Sequence, residues 1–262
     1  MTLTPDLKHI IQIVEHAGKN ILLPHFYQQN IATTKEDGSI VTQADLACQA
    51  YLQKKLHLLA PNISFLGEEM SECEQIACLQ SKESFWCVDP LDGTSNFATP
   101  MPMFAISIAL IVEGKPILAC IHDPVRQETF TAIHQQGAKL NGQDIIVSSK
   151  KALNDSVGFL DFKRLSPSLA THFATQKIYR SQRNLGSCAL EWAWLAAGRA
   201  QFIIHGAEKL WDYAAGSLLV EESGCIVSDF SGLHPFGKKS MSSSILAAPQ
   251  AIHQALTPHL HT

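Results

Sequence analysis

The run FWCVDPLDGT, residues 85–94, joins an apolar start to two aspartates that stand three positions apart. The apolar start predicts a buried strand. The Asp-Pro-x-Asp-Gly order after it is typical of a tight turn. Such a turn directs the carboxylates of Asp89 and Asp92, together with the carbonyl of Leu91, into one space. Taken alone, the same letters also describe an ordinary turn without any site, so the interpretation depends on the rest of the chain.

Two further segments place a carboxylate next to an apolar element. In FLGEE, residues 65–69, Glu68 follows a short apolar run, and in WDYAAG, residues 211–216, Asp212 stands at a predicted helix start. Each segment has a simpler interpretation, as a solvated loop or a helix cap. Buried carboxylates are costly unless they are neutralised, and Mg²⁺ prefers oxygen ligands of this kind. The co-occurrence of all three segments therefore favours a magnesium site.

The surrounding pattern predicts a mixed α and β protein. A helix is expected over 43–59, starting from Thr42, and a hairpin over 104–122, turning at Glu113-Gly114. A turn or a short hairpin is expected at Asp37-Gly38. Beyond residue 150 the pattern alternates between predicted strands and helices, which cover 157–160, 188–197, 201–204 and 212–222.

Composition narrows the class of protein. The chain has 262 residues, a formal net charge of -4 and seven cysteines at scattered positions. An odd number of cysteines without a CxxC pair argues against a disulfide framework or a zinc cluster. The net charge and the lack of a basic run argue against direct nucleic-acid binding. The longest apolar stretch, 104–112, is too short to cross a bilayer. We therefore expect a cytoplasmic protein that does not bind membranes.

Five segments resemble the signature motifs of the inositol monophosphatase family. Residues 89–94, 211–216 and 67–69 are similar to its DP(I/L)DGT, WDxAAG and GEE motifs. Residues 183–187 resemble its R-x-x-G-S turn, and residues 41–45 resemble its VTxxD segment. The segments follow one another in the family's order.

The resemblance implies a layered αβαβα sugar-phosphatase-type fold, an α+β arrangement of mixed sheets with helices between and outside them. Residues 1–148 would form an α+β half with most metal ligands. Residues 149–262 would form an α/β half with the substrate contacts and one metal ligand, and both would make one compact catalytic unit. The implied protein is a lithium-sensitive, Mg²⁺-dependent phosphomonoesterase that uses two or three ions and assembles as a homodimer.

The resemblance also implies roles for individual residues. The expected metal ligands are Glu68, Asp89, Leu91 through its carbonyl, Asp92 and Asp212. The residues expected to orient or activate the attacking water are Thr94, Asp45 and Glu68. The expected substrate contacts are Gly93, Thr94, Arg183, Gly186, Ser187, Cys188, His205 and Asp212. The backbone N–H groups of Gly93 and Thr94 would face the phosphate at a helix start.

One departure from the family pattern concerns the substrate. Members specific for inositol usually have a glutamate seven residues before the WDxAAG aspartate, where this chain has His205. Glu208 is near enough in sequence to compensate, and residues 161–164 are either a substrate-facing loop or a solvated one. The expected substrate is a small phosphorylated alcohol, in the manner of inositol 1-phosphate. The alternatives are histidinol phosphate, fructose 1,6-bisphosphate, a 3′-phosphoadenosine nucleotide, or a non-catalytic binding role in transcription.

Overall fold

A computed structural model of the chain describes residues 6–28, 32–34, 40–81, 83–237 and 240–261. Its strands form a seven-stranded sheet, a five-stranded sheet and a two-stranded ribbon.

The ribbon pairs β1 (Thr33–Thr34) antiparallel with β2 (Ile40–Val41). The sequence left a turn or a short hairpin open for this segment, and the pairing is that of a hairpin. The predicted turn at Asp37-Gly38 lies outside the described residues.

The seven-stranded sheet has its strands in chain order, and only the β3–β4 pair is parallel. Its strands are β3 (Ser64–Gly67), β4 (Phe85–Asp92), β5 (Ala105–Val112), β6 (Lys115–Asp123), β7 (Glu128–Ile133), β8 (Ala138–Leu140) and β9 (Gln143–Ile145). The predicted hairpin turn between β5 and β6 is confirmed. Glu113 and Gly114 both have positive φ, of 50° and 75°, as a tight hairpin turn requires.

The five-stranded sheet has the order β11-β10-β12-β14-β13 and mixes parallel with antiparallel pairs. Its strands are β10 (Val157–Asp161), β11 (Ser181–Arg183), β12 (Phe202–Lys209), β13 (Cys225–Ser228) and β14 (Ser242–Pro249).

Helices cover both sheets and fill the space between them. They are α1 (Leu7–Ala17), α2 (Leu23–Phe26), α3 (Gln43–Leu59), α4 (Glu72–Gln80), α5 (Thr94–Ala98), α6 (Pro167–Thr175), α7 (Cys188–Ala196), α8 (Leu210–Ser223) and α9 (Gln250–Leu256). A π-helical turn over Gly18–Leu22 joins α1 to α2.

Side-chain alternation along β5 shows why the sheet is buried on both faces. Ile106 and Ile108 point into a core with α1 and α3, whereas Ala105 and Ala109 point into a second core with α7 and α8. A strand that alternates between two apolar cores reads as a continuous apolar run. A third core lies between the five-stranded sheet and the helices α6 and α9.

Helix α8 forms the middle layer, because it packs against both the seven-stranded and the five-stranded sheets. It crosses α7 so closely that a Cβ on Gly216 would lie 2.2 Å from the Trp192 side chain. The layers are therefore α1 and α3, the larger sheet, α7 and α8, the smaller sheet, and α6 with α9. This confirms the predicted αβαβα fold. The division into residues 1–148 and 149–262 stays a prediction, since one core joins both parts.

All seven cysteines are free thiols. Within the described part of the chain, we find no helix that is both long and apolar enough to cross a membrane.

Candidate active site

A β-bulge in β4 brings Asp89 and Asp92 to the same face of the sheet. Asp89 pairs with Ser107 and Asp92 pairs with Ala105, so three steps along β4 match two steps along β5. Residues three apart on a regular strand point to opposite faces, and the extra residue reverses this. The sequence predicted a tight turn here, and that prediction was wrong. Residues 89–92 belong to strand β4, and its bulge brings the two carboxylates together. The strand continues to Asp92 because its bulge accommodates Pro90, which has no N–H to donate to the ladder.

Asp212 reaches the same place from α8. It is the third residue of that helix, and its carboxylate accepts a hydrogen bond of 3.1 Å from the backbone N–H of Lys209. One ligand atom from each of Asp89, Asp92 and Asp212 lies within 4.8 Å of the others. We call these three residues the carboxylate cluster. The cluster therefore joins one strand of the larger sheet to the helix between the sheets.

Glu68 follows the end of β3, next to the carboxylate cluster. Its backbone N–H donates to the carbonyl of Val88 at 3.2 Å, which continues the pairing of β3 with β4. The Glu68 carboxylate repels the carboxylates of the cluster and helps to raise the pKa values of both Asp89 and Asp212. The structure thus places Glu68 where the sequence predicts a further ligand, beside the three cluster carboxylates.

The carboxylate cluster is electrostatically unfavourable in the absence of a cation. Burial, followed by the charges of Glu68, Asp92 and Asp212, holds the pKa of Asp89 well above its usual range. Burial also raises the pKa of Asp92 to about 6, against the opposing effect of hydrogen bonds from Ser187 and Ala189. Oxygen ligands with this much negative charge suit a hard divalent cation such as Mg²⁺. The residues present therefore fit the metal that the sequence predicts.

The raised pKa values predict an unusual pH dependence for the chelator-treated protein. The folded state retains protons on these carboxyls that the unfolded chain releases near pH 4, so stability falls as the pH rises through the folded-state pKa. Urea unfolding with EDTA should give a lower free energy of unfolding at pH 7.5 than at pH 5.5, and the fall should be smaller in Asp92→Asn. Burial lowers the pKa of His122 to about 4, which by itself makes stability rise with pH. This contribution is the same in both proteins, so it cancels when the pH dependence of the variant is subtracted from that of the wild type. Identical pH slopes in the two proteins would refute this electrostatic picture.

Thr94 and Asp45 form a hydrogen-bonded pair next to the bulge. Gly93, with a φ of 90°, ends β4 and precedes α5, so Thr94 is the first residue of that short helix. The Thr94 hydroxyl lies 3.0 Å from Asp45 Oδ1 and 3.0 Å from the carbonyl oxygen of Leu91, either of which accepts its hydrogen. Asp45 is itself fixed by the capping box of α3, because its Oδ2 accepts from the backbone N–H and hydroxyl of Thr42.

Position 93 requires glycine because of two close backbone neighbours, in addition to its positive φ. A Cβ at this position would lie 2.8 Å from the carbonyl oxygen of Met103 and 3.2 Å from that of Gly186. The side chain of Asn96 ties the same three segments together, since its amide donates to the carbonyls of Met103 and Leu185 at 2.8 and 2.7 Å. Asn96 was not singled out in the sequence, because its role depends on segments remote from it.

Ser187 holds Asp92 in place from the start of α7. Its hydroxyl donates to Asp92 Oδ2, and the backbone N–H of Ala189 donates to the same oxygen at 2.9 Å. The Ser187 oxygen also caps α7 by accepting from Leu190 N–H. Ser187 is therefore placed to orient a cluster carboxylate.

Ser187→Ala should weaken Mg²⁺ binding by roughly 10- to 100-fold, as loss of a residue that orients a metal ligand does. It should also cost about 1 kcal/mol of stability through the lost cap. Ser166→Ala is the matched control, because Ser166 caps α6 in the same way. Calorimetric titration with Mg²⁺ should show weaker binding only in Ser187→Ala. Equal Mg²⁺ affinity in the two variants would remove Ser187 from the site.

The remaining predicted substrate residues divide into two groups. Gly186 adopts a positive φ of 69° in the turn before α7, and Cys188 follows Ser187 in that helix, so both adjoin the carboxylate cluster. Arg183 is exposed on β11, and its guanidinium donates to Ser181 and to the carbonyl of Gln182. None of its described hydrogen bonds directs it to the cluster.

A second bulge, in β12, brings His205 and Glu208 to one face of the smaller sheet. His205 pairs with Ile245 and Glu208 pairs with Ser243, so again three steps oppose two. His205 Nε2 lies 3.6 Å from Asp161 Oδ2, and this contact lowers the pKa of Asp161. Glu208 is fully buried and accepts from the indole N–H of Trp192 at 2.7 Å.

Two further observations complete the surroundings of the site. Lys163 and Arg164 are exposed, so the basic part of residues 161–164 is solvated, whereas Asp161 contacts His205. Glu191 is buried in α7 and accepts from Leu185 N–H at 2.6 Å, which fixes the turn before Ser187. The sequence analysis did not identify Glu191. Its position as the one carboxylate in the apolar predicted helix over 188–197 could have indicated this structural role.

Comparisons with known proteins agree with the fold and the motifs. A profile of the inositol monophosphatase family matches residues 3–262. The Nus factor SuhB of Escherichia coli strain K12 is 32% identical over 263 residues, which cover 98% of this chain and 96% of that protein. Inositol monophosphatase 1 of Solanum lycopersicum is 34% identical over 229 residues, which cover 85% and 83% of the two chains.

A solved structure gives the same result. The IMPase of Thermotoga maritima superposes with a TM-score of 0.86 at 28% identity, covering 97% of this chain and 96% of that one. The profile match extends over nearly the whole sequence, and the sequence and structural relatives include inositol monophosphatases. The chain therefore belongs to the inositol monophosphatase family.

Proposed function

We propose that the chain is a Mg²⁺-dependent phosphomonoesterase that hydrolyses a small phosphorylated alcohol. The observation that supports this most is the convergence of Asp89, Asp92 and Asp212, whose ligand atoms lie within 4.8 Å of one another. Family membership supports phosphatase chemistry, and the all-oxygen donor set favours Mg²⁺ over softer metals. Two or three ions are expected, held by the cluster together with Glu68 and the Leu91 carbonyl.

Each group of residues has a proposed role in the reaction. When bound, Mg²⁺ lowers the pKa of a coordinated water and neutralises charge on the phosphoryl oxygens. The Thr94 hydroxyl donates to Asp45, which leaves the Thr94 oxygen to accept a hydrogen bond from the attacking water and so orient it. A bond forms from the water oxygen to phosphorus as the bond from phosphorus to the ester oxygen breaks. The water gives up one proton to solvent, and the leaving ester oxygen takes up one proton to become the alcohol. The alcohol then leaves on the side of Cys188 and His205.

The test is phosphate release from a panel of monoesters by the purified protein. The panel holds inositol 1-phosphate, histidinol phosphate, fructose 1,6-bisphosphate, 3′-phosphoadenosine 5′-phosphate and an aryl phosphate, each with Mg²⁺, with EDTA and with added Li⁺. We expect Mg²⁺-dependent, Li⁺-inhibited release from at least one member. Because His205 stands where members specific for inositol usually have a glutamate, the preferred alcohol is the informative result. Absence of release from every member, with folded protein and saturating Mg²⁺, would count against the proposal.

A second role is favoured by one relative. The E. coli protein that matches 98% of this chain has the name Nus factor, which favours the transcription-associated binding role that the sequence left open. The prediction that the chain does not bind nucleic acid directly is not supported by relatives with this name. The two roles separate in Asp92→Asn, which should lose phosphate release and keep any binding function that depends only on the fold. A cytoplasmic location and a homodimer remain predictions.

A further inference from the structure

A thiol, an imidazole and a carboxylate converge beside the carboxylate cluster. One ligand atom from each of Cys188, His205 and Glu208 lies within 4.8 Å of the others. His205 and Glu208 are buried, and Cys188 is half-buried. They come from the start of α7 and from both sides of the β12 bulge, so the tertiary structure, and no local sequence motif, brings them together. We call these three residues the mixed-ligand cluster.

Glu208 supplies a second, independent sign of a ligand. Its Oε2 accepts from Trp192, but its Oε1 is buried without any hydrogen-bond partner in the described structure. A buried carboxylate oxygen without a partner is destabilising unless something else satisfies it. The side chain itself has no solvent exposure, so bulk water does not reach it. Oε1 is therefore the atom available to coordinate a cation.

The imidazole of His205 is held in position from both sides. Its Nδ1 accepts from the backbone N–H of Ala207 at 3.2 Å, and its Nε2 lies 3.6 Å from the Asp161 carboxylate. A carboxylate against a ligating imidazole fixes the orientation of the ring, as in carboxylate–histidine–zinc arrangements. A cation would replace one of these two contacts and leave the other to orient the ring.

From these contacts we infer that Cys188, His205 and Glu208 form a binding site for a soft or borderline divalent cation such as Zn²⁺. Sulfur, nitrogen and oxygen ligands suit Zn²⁺ and Co²⁺, whereas Mg²⁺ prefers the all-oxygen carboxylate cluster. Zn²⁺ bonds of about 2.0–2.3 Å require the ligand atoms to be at most about 4 Å apart. The 4.8 Å within which the ligand atoms lie exceeds this by less than about 1 Å. Binding releases the proton of the Cys188 thiol to solvent, and three protein ligands leave one position open.

The site has a consequence for the proposed reaction. Cys188 adjoins Ser187, which binds Asp92, so a cation there would compete with the alcohol portion of the substrate. Zn²⁺ should then inhibit phosphate release in the presence of saturating Mg²⁺. This consequence depends on the proposed function, whereas the metal binding itself does not.

The test is a Co²⁺ titration of the chelator-treated protein with Mg²⁺ in excess. Coordination by a thiolate gives a sulfur-to-cobalt charge-transfer band in the near ultraviolet, which cobalt bound only to carboxylates does not give. We expect this band to saturate at one Co²⁺ per chain. Cys188→Ser should abolish the band, and Glu208→Gln should weaken Co²⁺ binding by tenfold or more. Cys73→Ser is the control, because the Cys73 thiol is exposed on α4 and available to adventitious metal.

Two outcomes would overturn the inference. One is the absence of a charge-transfer band in the wild-type protein, which would leave the three residues as a pocket for an organic hydroxyl group. The other is a band that persists in Cys188→Ser and disappears in Cys73→Ser, which would assign the cobalt to a surface thiol. Near-ultraviolet circular dichroism of each variant checks that its fold is retained.

Discussion

Asp89→Asn is expected to reduce phosphate release by roughly 10³-fold and, at the same time, to raise the melting temperature of the metal-free protein. Loss of a metal ligand removes several kcal/mol of transition-state stabilisation, and each 1.36 kcal/mol is about tenfold in rate. The amide keeps the size of the side chain, and its oxygen can still accept the 2.9 Å hydrogen bond from Leu91 N–H. The gain in stability follows because the neutral amide avoids the cost of burying an ionisable group there, and it is not disfavoured by the nearby charges of Glu68, Asp92 and Asp212.

The measurement compares melting temperatures with EDTA and with Mg²⁺. Wild-type protein should gain stability from Mg²⁺, whereas Asp89→Asn should be more stable than wild type in EDTA and gain little from Mg²⁺. Asp144→Asn is the control, because this aspartate is exposed on β9 and should change neither value. A variant that turns over normally, or that melts earlier than wild type in EDTA, would contradict the assignment of Asp89.

Gly206→Ala is expected to destabilise the fold by roughly 3 kcal/mol or more, the upper part of the usual cost of overpacking. Gly206 lies in the β12 bulge, where a Cβ would be 1.7 Å from the carbonyl oxygen of Arg164. This oxygen belongs to the backbone of Arg164, so it cannot rotate away as the end of a flexible side chain could. The strand would have to leave the segment after β10, which would also displace His205.

Urea unfolding measures this cost, with Gly232→Ala as the matched control. Gly232 has a positive φ of 83°, but no atom of the described residues would lie within 4 Å of an added Cβ, so its replacement should cost about 1–2 kcal/mol from strain alone. We expect the midpoint of Gly206→Ala to lie well below that of Gly232→Ala. Equal midpoints would mean that the bulge adapts and that Gly206 is not required for close approach.

The sequence predicted the elements that have strong local signals. The helix over 43–59 starts at Thr42 with Asp45 in a capping box, as expected from that motif. The α8 helix ends at Ser223 and is capped by Gly224, whose φ of 109° is in the left-handed region that glycine adopts most easily. In both cases the information lies within a few residues, so local reasoning was sufficient.

Two helices were missed although their starts were readable. Ser71 and Glu74 form a capping box at α4, and Ser166 caps α6 with Pro167 at its first position. Both helices are short and lie at the edge of the cores, so their apolar periodicity is weak. The capping residues were the stronger signal in each case.

The two bulges lay beyond prediction because they depend on pairing between strands. The apolar run over 201–204 predicted a strand that ends before His205, but β12 continues to Lys209 through its bulge. No residue near His205 in sequence specifies that His205 will pair with Ile245 and that Glu208 will pair with Ser243. The chemical identity of the cluster residues was therefore predictable, and the geometry that aligns them was not.

Phosphate release is expected to depend on Mg²⁺ held by the carboxylate cluster. The most direct test of this dependence is a Mg²⁺ titration of chelator-treated protein, with binding followed by calorimetry and phosphate release followed on the preferred monoester of the panel. We expect release to be negligible without Mg²⁺ and to rise in proportion to the occupancy that calorimetry reports. Release that is complete in EDTA, or a folded protein that binds no Mg²⁺ at millimolar concentration, would show that the carboxylate cluster does not act through Mg²⁺.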